Sequence, residues 1–211
     1  MRALIVDDMI LFRDLMRTFL VEKLGHDIVG EATTGKEAVE MILRLEPHFV
    51  FLDLHLPDMS GFDVVDRLNQ AKATLPTILP YSAYCDDHTT YEVERHRMRA
   101  FLYKPDATID VLSEAIQKLT AGGTFFSKTF VSQKDERKCN SCSYDKVLTS
   151  RQLEVAGLVG ELLADKQIAK RLRVAVGTVE KHRLTAAYKL GLKGRRALES
   201  YARDHGLSNR P

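Results

Sequence analysis

Five polar side chains each close or follow a short apolar run: Asp7 and Asp8 after "LIV", Asp53 after "FVFL", Ser82 in "TILPYS" and Lys104 after "AFLY". If those runs are neighbouring parallel strands, three carboxylates, a hydroxyl and an ammonium meet on one rim, where open α/β sheets gather function. Carboxylates packed this closely repel and raise one another's pKa, so a bound cation is the simplest compensation. Oxygen ligands without His or Cys side chains favour a hard ion, Mg2+ or Mn2+. A lone Asp at a strand end is more often a turn or cap residue. The weight rests on all five appearing in order.

Apolar runs at Ala3 to Val6, Ile28 to Val29, Phe49 to Leu52, Thr77 to Leu79 and Phe101 to Tyr103 read as five strands. Between and after them lie apolar residues at helical spacing, Leu11, Leu15, Phe19, then Ala38, Ile42, Leu45, and later Ile109, Leu112, Ile116, Leu119. Strict alternation of the two patterns predicts a doubly wound parallel sheet of five strands. Pro80 and Tyr81 fall inside strand four, and a proline removes a ladder donor, so that strand is expected to end early or bulge before Ser82.

The chain of 211 residues is long for one small domain, and its charge is unevenly spread. Residues 1–125 carry 20 Asp/Glu and 13 Lys/Arg, net −7, whereas residues 126–211 carry 9 and 18, net +9. A basic C-terminal part points to nucleic acid or another anionic surface as partner. The chain begins almost directly with a strand, so no leader is expected, and no apolar run approaches the roughly 18 residues needed to span a bilayer. The expectation is a soluble cytoplasmic protein. Three cysteines, Cys85, Cys139 and Cys142, fit a reducing compartment.

The first 122 residues resemble the receiver domain of two-component response regulators. The motifs are the "DD" of "LIVDD", "DLHLPDMSG" with Pro57 and Gly61 in place, "SA" at 82 to 83 and "KP" at 104 to 105. The resemblance implies a flavodoxin-like fold in which Asp53 is the phosphoacceptor for a sensor histidine kinase. It also implies that Asp8, Asp53 and the backbone carbonyl of His55 hold Mg2+ (or Mn2+), with Asp7 acting through water. Lys104 would meet a phosphoryl oxygen and Ser82 would hydrogen-bond the phosphoryl group. Phe101 would be the switch aromatic that turns when Ser82 moves. His55 and Tyr84 flank the acceptor and are placed to admit or exclude water.

Residues 124–146, "TFFSKTFVSQKDERKCNSCSYDK", show little periodicity and read as a linker. Its lone CxxC, Cys139 and Cys142, lacks two further ligands for zinc and is read as two exposed thiols. From residue 147 onward helices dominate. Thr149 is a good N-cap, and "DKQIAKRL", "RVAV" and "GTVEKHRLTAAYKLGL" give two helices joined by a short turn, the helix-turn-helix arrangement. "LTSRQLEV", "DKQIAKRL", "TVEKH" and "KLGL" make this segment similar to the LuxR-type output domain of the NarL/FixJ response regulators, a small all-α domain. Leu162 replaces a usual turn glycine, which is expected to lengthen a helix, and Ala175 replaces a usual capping serine.

At 100° per residue, Val179, Ala186 and Leu190 share one arc of the longer helix and must face the core. Lys181, Leu184, Thr185 and Tyr188 lie opposite, with Glu180 on the flank, and are the expected base contacts. Thr178, His182, Arg183, Lys170 and Arg171 are placed for phosphates. The last helix carries Ala197, Leu198, Tyr201 and Ala202 on one side, and in the family its counterpart pairs two protomers.

The expected protein is therefore a receiver (1–123), a linker (124–146) and a DNA-binding domain (147–211). It would be a non-enzymatic transcription regulator that binds double-stranded promoter DNA as a homodimer when phosphorylated. The alternative is a DNA-binding protein indifferent to phosphorylation and controlled by dimerisation or redox state.

Overall fold

The computed structural model describes residues 1–139 and 144–208, which leaves Cys142 and the Cys139 side chain outside the described residues. Contacts divide the chain into two compact units, residues 1–85 with 92–132, and residues 86–91 with 133–211.

In the first unit the strands are β1 (Arg2–Val6), β2 (Asp27–Ala32), β3 (Phe49–Asp53), β4 (Thr77–Ser82), β5 (Ala100–Tyr103) and β6 (Phe125–Phe126). Its helices are α1 (Ile10–Thr18), extended by a π-helical turn Phe19–Lys23, α2 (Gly35–Leu45), α3 (Gly61–Gln70) and α5 (Ile109–Thr120), while α4 (Asp87–Arg95) and α6 (Lys128–Cys139) each have residues in both units. The paired strands are all parallel and run in the order β2-β1-β3-β4-β5-β6. This is the doubly wound, flavodoxin-like architecture. The five strands read from the sequence are all present, and β6 adds a sixth.

Local chemistry fixes the helix starts. Thr34 and Thr108 each accept a hydrogen bond from the backbone three residues on, and Ser60 with Asp63 forms a reciprocal capping box before α3. The central strands bury both faces: Phe49 and Phe51 join one core with Ile5, Met16 and Ile116, while Val50 and Leu52 join another with Leu4, Ile42 and Val64. On α1 the buried side is Met16, with Phe12 packed beside it, while Leu11 and Leu15 face solvent, 75% and 60% exposed. Of the three residues read at helical spacing, Leu11, Leu15 and Phe19, the core takes Phe19 alone.

Pro80 does not break β4, contrary to the expectation. The strand continues to Ser82 and pairs with β3 at Leu52 and Pro80. The backbones of Thr77 and Tyr81 bond to His48 and Leu54 on the β3 side, so Pro80, between them in the alternation, directs its missing donor towards β5. Registered pairing of β4 with β5 begins only at Tyr81 and Leu102.

The segment read as a linker is folded: β6 pairs with β5, and twelve residues from Lys128 form α6.

The second unit contains α7 (Tyr144–Val147), α8 (Ser150–Gly160), α9 (Asp165–Leu172), α10 (Val176–Lys189) and α11 (Arg195–Asp204). A capping box of Thr149 and Gln152 opens α8. Leu162 does not lengthen α8; the helix ends at Gly160 and Leu162 takes the left-handed conformation, φ 63°, that a glycine would adopt without strain. Ala175 caps α10 without a side-chain hydrogen bond, as its type dictates. Among the described residues, no helix is long and apolar enough to cross a membrane.

Candidate functional site

The carboxyl ends of β1, β3, β4 and β5 bring the five predicted groups together. Asp7 and Ser82 are fully buried, Asp53 is 4% exposed and Asp8 faces solvent. Carboxylate oxygens of Asp7, Asp8 and Asp53 lie within 4.8 Å of one another. The Lys104 ammonium bridges two of them, donating to Asp7 Oδ2 at 2.9 Å and Asp53 Oδ2 at 2.6 Å. The remaining oxygens are held by backbone: Met9 N–H donates to Asp7 Oδ1 at 2.8 Å and His55 N–H to Asp53 Oδ1 at 2.9 Å.

One ammonium does not neutralise this cluster. Burial pushes the Asp53 carboxyl up to about 6, although Lys104 and the His55 N–H pull it down. Burial opposes the Lys104 charge too, yet Asp53 and Asp7 outweigh it and raise the Lys104 pKa. Three oxygen donors with residual negative charge fit a hard divalent cation, and the donor chemistry suits Mg2+.

Ser82 Oγ lies 3.1 Å from His55 Nδ1 and accepts from Tyr84 N–H at 2.9 Å. The His55 and Tyr84 rings meet edge to face, centroids 4.9 Å apart, so the two flanking residues form one wall with the hydroxyl. Phe101 is buried with Leu54, Val93 and Phe130.

Other participants were not singled out from the sequence. Phe12 and Tyr81 present their rings to the Lys104 ammonium at 4.5 and 5.0 Å, and the Tyr81 hydroxyl donates to the Val6 carbonyl at 3.0 Å. Arg13 donates to the Asp7 carbonyl at 2.7 Å. Tyr81 was legible only as an oddity next to Pro80. Phe12 and Arg13 become visible once β1 and α1 are placed, because they follow Asp8 by four and five residues.

In the second unit α10 lies as expected: Val179 and Ala186 are buried, Leu190 packs against the same core, and Ala187 joins them. Glu180, Lys181, Leu184, Tyr188, Thr178, Lys170 and Arg171 are exposed, while Thr185 and His182 are half-buried. Tyr188 at 85% and Leu184 at 54% exposure form an apolar surface on the helix face opposite the core. Arg183 instead pairs with Asp165 Oδ2 at 3.1 Å, and Arg195 takes Asp165 Oδ1 at 2.5 Å, so one carboxylate at the start of α9 ties α9, α10 and α11 together. Arg171 pairs with Glu161 at 2.8 Å.

An acidic rim on a flavodoxin-like sheet, followed by a helix-turn-helix unit, defines the response-regulator class of two-domain proteins. The sequence matches the response regulator receiver domain over residues 3–117 and the luxR family of bacterial regulatory proteins over residues 146–202. The chain belongs to the response regulators, with a receiver and a LuxR-type DNA-binding domain, and is similar to those of the NarL/FixJ type. It is 26% identical over 208 residues, 98% of either chain, to the response regulator protein VraR of Staphylococcus saprophyticus and equally so to VraR of Staphylococcus aureus. Among solved structures, RcsB of Salmonella enterica serovar Typhimurium bound to promoter P1flhDC with the phosphomimetic BeF3− aligns with TM-score 0.67 at 20% identity. That alignment covers 95% of this chain and 97% of the other. A LuxR-family response regulator from Aurantimonas aligns with TM-score 0.58 at 22% identity over 66% of this chain and 98% of its own. At these identities the structural likeness concerns the fold.

Proposed function

We propose that this response regulator is a transcription regulator switched by Mg2+-dependent phosphorylation of Asp53 by a sensor histidine kinase. The observation that carries the reading is the rim itself, three carboxylates within 4.8 Å with Lys104 bridging Asp7 and Asp53.

In this reading an Asp53 oxygen attacks phosphorus, a P–O bond forms, and the P–N bond to the donor histidine breaks with its electron pair left on the imidazole nitrogen. Asp8, Asp53 and the His55 carbonyl would hold Mg2+, with Asp7 reaching it through water, and the ion would supply charge neutralisation for the incoming phosphoryl group. Lys104 moves from Asp53 to a phosphoryl oxygen, its stem guided by the Phe12 and Tyr81 rings. Ser82 leaves His55 to hydrogen-bond the phosphoryl group, and Phe101 follows. The chain does not turn over an external substrate, and its division is receiver 1–123, linker 124–146 and DNA-binding domain 147–211. RcsB structures with two dimers on two DNAs support a dimeric, DNA-bound active form.

Intact-mass spectrometry after incubation with acetyl phosphate and Mg2+ tests this directly. Wild type gains one phosphoryl group and Asp53→Asn gains none; a wild type that stays unmodified, or an Asp53→Asn that is modified equally, overturns the reading.

On the DNA side, Lys181, Glu180, Leu184, Thr185 and Tyr188 read base edges, and Thr178, His182, Lys170, Arg171 and Arg183 serve the phosphates, the last two after exchanging their carboxylate partners. Lys181→Ala is expected to weaken binding to a duplex selected from a random pool by about 10- to 100-fold, the size of one lost base contact. Binding to unselected DNA should change far less. Equal losses on both duplexes would make Lys181 a phosphate contact.

A further inference from the structure

Phe101 is closed over by the start of α6. Its buried ring packs against the buried Phe130, centroids 4.9 Å apart, and Phe130 stacks on Phe126 at 5.0 Å with planes 16° apart. Backbone ties follow the same line. Phe101 pairs with Phe126, Ser127 N–H donates to the Phe101 carbonyl at 3.0 Å, and Tyr103 N–H donates to Ser127 Oγ at 3.1 Å. On the other side of Lys104, Asp106 accepts from both the backbone N–H and the hydroxyl of Thr129, each at 2.9 Å. Ser127 and the first turn of α6 are thus fastened to Tyr103, one residue before Lys104, to Asp106, two residues after it, and to the switch aromatic itself.

A close-packed interior has no spare volume for an aromatic ring to turn alone, so Phe101 cannot move without Phe130 giving way. We propose that Phe130 is a positioning residue that, acting through Phe101, passes the phosphorylation state of Asp53 to α6, the helix by which the chain leaves the receiver. This rests on the phosphoacceptor reading above and goes beyond it, because it makes the segment read as a linker part of the switch. A passive cover would add stability to the receiver but would not respond to Asp53.

The full chain is treated with acetyl phosphate and Mg2+, occupancy is followed by intact mass, and amide hydrogen exchange is read on peptides covering residues 126–139. In wild type, exchange over α6 changes at least threefold on phosphorylation. Phe130→Leu keeps an apolar filling and gains the same adduct, but its α6 response is lost. Val131→Ala, at an exposed position of the same turn, retains the response. If Phe130→Leu does not fold, Phe101→Leu reads the same contact from its other end and must also lose the response. Phosphorylated wild type with unchanged α6 exchange, or a full response in either variant, overturns the inference. An unmodified wild type overturns the phosphoacceptor reading, and this inference with it.

Discussion

Asp53→Asn is expected to be more stable than wild type in metal-free buffer at pH 7.5, with the advantage disappearing as the pH falls below about 4. The carboxyl of Asp53 is raised to about 6 in the folded protein by burial, against roughly 4 in an unfolded chain. A group whose folded pKa is raised binds its proton more tightly in the native state. Its contribution is fully favourable below the unfolded value and is lost as the pH rises through the folded one. Two pKa units correspond to about 3 kcal/mol, a balance that already contains the pull of Lys104, and Asn removes that penalty. The net gain at pH 7.5 is about 3 kcal/mol, or roughly 10 °C in a domain of this size.

Mg2+ should narrow the gap. Ligand bound only by the native state stabilises by mass action, about 1.4 kcal/mol at ten times its dissociation constant. Asp53→Asn has lost one of the ligands that would gather it. Calorimetry at pH 4, 5, 6 and 7.5, with and without Mg2+, checks both halves, the receiver being the transition that Mg2+ moves. A variant less stable than wild type at pH 7.5 without metal would mean that the Lys104 bridges compensate the rim fully.

Gly61→Ala should disable the receiver from a position that carries no polar side chain. A Cβ there would lie 2.6 Å from the Asp53 carbonyl oxygen and 3.0 Å from Leu54 Cα, both backbone atoms that no rotamer change can move. Gly61 N–H donates to the Leu54 carbonyl at 3.0 Å, so the start of α3 is pinned against the end of β3. Relief requires the end of β3, and Asp53 with it, to shift. Overpacking of this kind costs about 1 to 3 kcal/mol, and displacing a reacting group by even 1 Å costs on the order of 100-fold in rate. The control is Gly177→Ala in α10, where nothing lies within 4 Å and the backbone is not left-handed. There alanine should be neutral or stabilising by about 0.5 to 1 kcal/mol. Thermal unfolding and the rate of adduct formation from acetyl phosphate separate the two variants, and wild-type values for Gly61→Ala would refute the clash.

The rim was legible because strand ends are marked twice, by an apolar run and by the polar residue that stops it. Asp7, Asp53, Ser82 and Lys104 therefore appeared before any helix had been placed. Pro80 misled because composition does not say which neighbour a strand residue faces; the missing donor matters on the β3 side and is harmless on the other. β6 and α6 escaped notice for a different reason. Two phenylalanines are too short a run to read as a strand, and among its described residues α6 buries one large apolar side chain, Phe130, besides the ion-paired Arg137, so neither period rises above its polar surroundings. On α10 the arc of Val179 and Ala186 identified the outer face, but Arg183 carries the same charge as its exposed neighbours and only geometry reveals its tie to Asp165.

The two-residue strand β6 also has a consequence outside the sheet it completes. An outermost strand with bare amide and carbonyl groups invites another chain to add to it. β6 covers β5 along Ala100 and Phe101, is itself too short to template a newcomer, and gives way at once to a helix. It is a selvedge: it finishes the sheet so that two copies do not fuse edge to edge.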